Sequence, residues 1–141
     1  MADPHDLERF VAAQSGVYAQ ALAELEAGRK ESHWMWFIFP QIAGLGRSGT
    51  ARLYAIASRA EAAAYHSHPL LGRRLVECTN AVLRHAGTPA HIIFGPVDAM
   101  KFHSSMTLFE VVAGAADPRF AEALATFFGG EPDPATVELL G

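Results

Sequence analysis

Apolar residues recur at helical spacing along most of the chain. Leu7, Phe10 and Val11, with Gln14 in the same stripe, predict a first helix opening near Asp6, with Asp3 or Asp6 placed to cap it. Ser15-Gly16 interrupts the pattern. It resumes from Val17 to Ala27 with Tyr18, Ala21, Leu22 and Leu25 on one face, and Gly28 is suited to end it because glycine enters the left-handed region cheaply. The next stretch, Ser32-His33-Trp34-Met35-Trp36-Phe37-Ile38-Phe39-Pro40-Gln41, is dense in aromatics and has no clean period. It fits either a short buried strand or one helical turn, and Pro40 ends either. Gly44, Gly46 and Gly49 make a loop of Ile42 to Thr50, and a helix is predicted over Ala51 to Ala57.

Ser58 followed three residues later by Glu61 is a capping-box pattern for a helix through Tyr65. His68-Pro69 predicts the start of a longer helix to about His85, with Leu71, Leu75, Cys78 and Val82 as its buried stripe. Thr88-Pro89 opens a short turn through Phe94, and Gly95-Pro96 breaks it. Asp98 is placed to cap a helix from Ala99 to about Val112, another runs from Pro118 to Phe128, and Asp133-Pro134 opens a last turn to Leu140. The expected fold is all-α: a compact, irregular single-domain bundle spanning residues 1–141, with about seven or eight helices and at most one short strand.

Composition narrows the partners. The 141 residues are 50% hydrophobic and 18% charged, which is globular composition. The net charge of −4 argues against duplex nucleic acid and anionic membranes, which attract positive surfaces. It leaves room for a local basic pocket from Arg29 with Lys30, Arg47, Arg73 with Arg74, or Lys101. The single cysteine, Cys78, allows no internal disulfide and reads as a buried thiol in a reducing compartment. The polar, acidic start lacks the positive region of a signal peptide, and no apolar run approaches the ~18 residues needed to span a bilayer. A cytoplasmic location is expected.

Generic catalytic motifs are missing. Gly44-Leu45-Gly46-Arg47-Ser48-Gly49 matches G-x-G-x-x-G only superficially, because no strand–helix crossover surrounds it. His66-x-His68 lacks further ligands at metal spacing and reads as a helix end, so no metal and no cofactor is expected. Two polar–aromatic clusters stand out. In the first, Ser32, His33, Trp34, Trp36 and Gln41 combine stacking planes with polar tips. In the second, Lys101, Ser104, Ser105 and Thr107 lie on a helix, where a lysine beside hydroxyls can cradle an anion. Packing explains parts of both: Phe37, Ile38 and Phe39 are good core fillers, and Ser or Thr can bond back to helix carbonyls.

Arg29 to Gln41 followed by Gly44-Leu45-Gly46-Arg47-Ser48, then His68 to Leu75, Phe94-Gly95, Asp98, Lys101 and Ser104 to Phe109, resemble the signatures of the bacterial domain-of-unknown-function 1810 family. The resemblance spans about Asp3 to Gly141. It implies a small all-helical bacterial cytoplasmic protein and carries no established activity. His103 departs from the expected pattern and is not taken as a site residue. A shorter similarity, over the Trp segment and Lys101-Phe102, links the chain to small helical domains proposed to process ADP-ribose or related riboside phosphates.

The expected function is binding or hydrolysis of a phosphorylated, nucleotide- or ADP-ribose-like small molecule. Trp34 or Trp36 would stack on a ring, Lys101, Ser104 and Ser105 would hold phosphate, and Arg47 would close over it. His33 would act as general acid or base, with Glu31, Glu77, Asp98 or Glu110 as the carboxylate. The alternative is a non-catalytic interaction module with an exposed aromatic patch. Oligomeric state is left open.

Overall fold

The computed structural model describes residues 3–141. Its helices, in chain order, are α1 Glu8–Gln14, α2 Tyr18–Glu26, α3 Met35–Ile38, α4 Gly49–Leu53, α5 Arg59–Ser67, α6 Leu71–Leu83, α7 Ala90–Phe94, α8 Pro96–Ala113, α9 Arg119–Phe128 and α10 Pro134–Leu140, with a 3-10 turn at Gly114–Ala116. The fold is an all-α bundle around one hydrophobic core. Its helices are shorter and more numerous than the periodicity suggests, because caps and glycines cut the apolar stripes.

Most predicted caps form. The Asp3 carboxylate accepts from the N–H groups of Leu7 (2.9 Å) and Glu8 (3.0 Å), opening α1. Ser58 Oγ accepts from Glu61 N–H at 3.1 Å, while the Glu61 carboxylate turns to Ala57 N–H and to Arg9. His68 starts α6 differently from expectation: its Nδ1 accepts from the N–H groups of both Leu70 and Leu71. The helix therefore begins two residues beyond Pro69.

The aromatic stretch adopts one helical turn, α3. Beyond it Ile42 and Ile56 form an isolated parallel bridge, with Ala43 N–H to Ile56 O and Ile56 N–H to Gln41 O both at 2.8 Å. This extended pairing is why the helix expected to reach Ala57 ends at Leu53. It also pins the glycine-rich loop to the body of the bundle.

The long helix α8 is the centre of the molecule, packed against α5, α7, α9 and α10. Phe102 and the unbroken run Ser104 to Phe109 are buried, so the helix is enclosed along its middle. Phe102 stacks on Phe94 at 4.7 Å and meets Phe39 edge-on at 5.0 Å, tying α8 to α7 and to the end of α3. At the α5–α6 junction Gly72 allows contact that no other residue permits: a Cβ there would lie 2.1 Å from the His66 carbonyl oxygen. Cys78 is buried, and burial pushes its thiol up to about 12, so it is inert at neutral pH.

One buried carboxylate organises the aromatic segment. Glu24, on α2, is only 5% exposed. Its Oε1 accepts from Glu31 N–H (2.8 Å), Ser32 N–H (2.9 Å) and the Trp34 indole N–H (2.9 Å). Its Oε2 accepts from Ser32 Oγ (2.5 Å) and Gln20 Nε2 (2.8 Å). Burial alone would raise the carboxyl, but the bonds from Ser32, Glu31 and Gln20 outweigh it and hold Glu24 at about 2. A folded value below the ordinary 4.5 means that the unfolded chain takes up the proton first. The stabilisation is complete above about 4.5 and is lost as pH falls toward about 2. Replacing Glu24 by Gln puts an amide N–H among donors, and a loss of about 2–4 kcal/mol is expected in urea unfolding at pH 7. The variant should also lose less of its remaining stability than the parent between pH 5 and 3; an equal acid loss in both would assign the acid sensitivity to other groups.

Candidate functional site

A relay of charges carries the Glu24 clasp to the surface. Lys30, whose side chain is 6% exposed, donates to the Ser32 carbonyl and lies over the Trp34 ring at 4.9 Å. Its ammonium pairs with Asp98 Oδ2 at 2.8 Å. Asp98 is therefore not the cap of α8: Gly95 (φ 82) takes that position, Pro96 follows, and Asp98 sits in the first turn. Its other oxygen faces Lys101 at 3.6 Å, and Lys101 Nζ lies 4.9 Å from the centre of the Trp36 ring. Lys101 is thus oriented by a loose ion pair and an aromatic face without being buried.

Two adjoining hollows share Gln41, Gly46 and Lys101 in their walls. The first is a narrow recess lined by Met35, Trp36, Gln41, Gly46, Tyr54 and Lys101. The second is a cleft of about 310 Å³ that runs between the glycine-rich loop, α8 and the start of α10. Leu45, Val97, Met100 and Ala135 give it apolar walls, and Gln41, Lys101, His103, Ser104 and Asp133 its polar groups. Val97, Met100, Lys101 and Ser104 stand at i, i+3, i+4 and i+7 of α8, one continuous face. Val97 and Met100 are 65% and 71% exposed, unusual for such side chains. Among the described residues no partner is found for the backbone N–H groups of Leu45 and Gly46, at the loop edge of the cleft.

The predicted residues divide four ways. Trp36, Gln41, Lys101 and Ser104 come together at these hollows. Ser32 and Trp34 serve the Glu24 clasp, and Trp34 is fully buried. Ser105 and Thr107 are buried in α8: the Ser105 hydroxyl has no partner, while Thr107 Oγ1 donates to the His103 carbonyl and accepts from Asp133 N–H. His33 and Arg47 are exposed and line neither hollow. Of the four candidate carboxylates, Asp98 adjoins Lys101. Glu77 accepts from Tyr18 on another face, Glu31 is exposed, and Glu110 lies along the far half of α8.

Several contributors escaped sequence reasoning. Asp133 caps α10 through Oδ2, which accepts from Thr136 N–H, Thr136 Oγ1 and Ser104 Oγ. The capping signal was legible; its place beside Ser104 is a tertiary fact. His103 stacks on Phe128 at 4.0 Å with planes 7° apart and bonds the Glu131 carbonyl at 2.7 Å. Among the described residues no group of three or more His, Cys, Asp or Glu is placed to hold a metal, and no helix is long and apolar enough to cross a membrane. The basic residues do not gather: Arg29 and Lys30 border a separate groove with His91, and Arg74 lies over Tyr18.

A family model described as "Protein of unknown function (DUF1810)" matches residues 4–140. The chain belongs to this family. The fold agrees with the crystal structure of the conserved hypothetical protein Rv1873 from Mycobacterium tuberculosis, which is 52% identical, with 98% of each chain covered and a TM-score of 0.94. None of the curated proteins matches this DUF1810 chain.

The two tryptophans should be separable in solution. Trp34 is fully buried and bonded, whereas Trp36 borders the recess under Lys101. Acrylamide should quench one emission component only, and Trp36→Phe should remove it. Lys101→Ala should increase its quenching while changing stability by less than about 1 kcal/mol, the scale of a partly exposed cation–π contact. Two equally quenched tryptophans would contradict the buried clasp.

Proposed function

We propose that the cleft between the glycine-rich loop, α8 and α10 binds a small phosphorylated molecule of nucleotide type. The observation that carries this reading is Lys101. Its ammonium borders the cleft, held by Trp36 and by a 3.6 Å approach to Asp98. A phosphate there would gain charge attraction and hydrogen-bond donation from the Lys101 ammonium. Leu45, Val97 and Met100 offer an apolar surface for a planar ring, and Gln41 a polar group beside it. The volume of about 310 Å³ suits a ligand at the small end of the usual range.

The reading is one of binding. Hydrolysis through His33 would require that imidazole at the cleft, and it lies elsewhere on the surface. An interaction module built on exposed aromatics has less support. The large exposed apolar side chains among the described residues are Leu53, Ile92, Val97, Met100, Val137 and Leu139, none of them aromatic.

Thermal unfolding in the presence of AMP, ADP-ribose and inorganic phosphate tests the proposal. A ligand at ~100 times its dissociation constant stabilises the native state by about 2.7 kcal/mol, a shift of several degrees. A rise with AMP or ADP-ribose that is lost in Lys101→Ala is expected. No rise with any of the three, or a rise unaffected by Lys101→Ala, would overturn it.

A further inference from the structure

The wall of the cleft opposite Lys101 has a chemistry of its own. His103 and Asp133 both line the cleft, and each has one ring or carboxylate atom committed internally. A carbonyl oxygen can only accept, so the 2.7 Å contact between His103 Nε2 and Glu131 O places the proton on Nε2. The parallel stack on Phe128 holds the ring plane. Neutral His103 therefore carries its lone pair on Nδ1, a pure acceptor. Nδ1 has no hydrogen-bond partner and is not among the buried unpartnered atoms, so it is open to solvent. Asp133 repeats the pattern: Oδ2 takes all three internal bonds, and Oδ1 is unpartnered and open.

At 100° per residue, His103 and Lys101 stand on opposite flanks of the exposed face of α8, with Val97, Met100 and Ser104 between them. One flank offers a cation and donors, the other two acceptors. A ligand that satisfies both is anionic at one end and carries hydroxyl donors at the other. Phosphate with vicinal ribose hydroxyls has that arrangement, and a deoxyribose lacks one of the donors.

We infer that His103 Nδ1 and Asp133 Oδ1 are a hydroxyl-recognition pair that makes the cleft selective for ribonucleotides over 2′-deoxyribonucleotides. This rests on the phosphate-binding reading above. His103 needs no protonation for the role, and Asp133 is already fixed by its capping bonds.

Calorimetric titration with AMP, 2′-deoxy-AMP and inorganic phosphate tests it, in the parent, His103→Gln and His103→Asn. Gln can keep an amide donor near the Nε2 position but supplies no acceptor at Nδ1; Asn can place its carbonyl oxygen near Nδ1. The parent should bind AMP about five- to tenfold more tightly than 2′-deoxy-AMP, the effect of one hydroxyl bond left unmade. His103→Gln should bring the two affinities together while keeping phosphate-dependent binding, and His103→Asn should retain part of the preference. Equal affinities for AMP and 2′-deoxy-AMP in the parent, with phosphate binding intact, would overturn the hydroxyl pair and leave the phosphate site standing. A preference unchanged in His103→Gln would remove His103 from it. Absence of binding by all three ligands would overturn both.

Discussion

The carboxylate of Glu24 is the constraint on which the arrangement of the site depends. Five donors converge on it, four of them from Glu31, Ser32 and Trp34. A buried charge is costly unless fully bonded, and this one is bonded on both oxygens. The clasp turns the chain sharply after α2, buries the Trp34 indole in the core and leaves Trp36, two residues on, at the surface recess. The Lys30 N–H, bonded to the Ile93 carbonyl at 2.7 Å, fixes the same loop from the side of α7.

From the clasp, order passes outward through Lys30 and Asp98 to Lys101. Each step is less buried than the last: Lys30 is 6% exposed, Asp98 21% and Lys101 26%. The gradient places the shorter, more buried ion pair beside the clasp and the more exposed cation at the cleft. The opposite wall is held independently, by Asp133 capping α10 and by His103 stacked on Phe128. The cleft is thus set between two separately braced walls, with the glycine-rich loop, pinned by the Ile42–Ile56 bridge, along its edge.

Local signals in the sequence are those that depend on neighbours three or four residues apart. The stripes of α2 and α6, the Ser58 and Asp133 caps and the glycine stop at Gly28 are legible for that reason. Asp98 misleads because an acidic residue ahead of an apolar run fits a cap equally well as an ion-pair partner, and its partner Lys30 lies 68 positions away. The Ser32-His33-Trp34 motif stands out for its composition, yet two of its three side chains serve the clasp. Their target, Glu24, sits inconspicuously on a polar-looking turn of α2. The juxtaposition of Trp36, Gln41, Lys101 and Ser104 was accessible as residue types and becomes a site only through the packing of α3 and the glycine-rich loop beside α8.

Mapping amide chemical-shift changes by NMR during titration with AMP tests most directly whether this cleft is the binding site. Binding there predicts changes concentrated at residues 41–46, 97–104 and 131–135, on the three segments that line it. Changes concentrated instead at Arg29, His91 and Gly95, around the separate basic groove, or no saturable change anywhere, would contradict it.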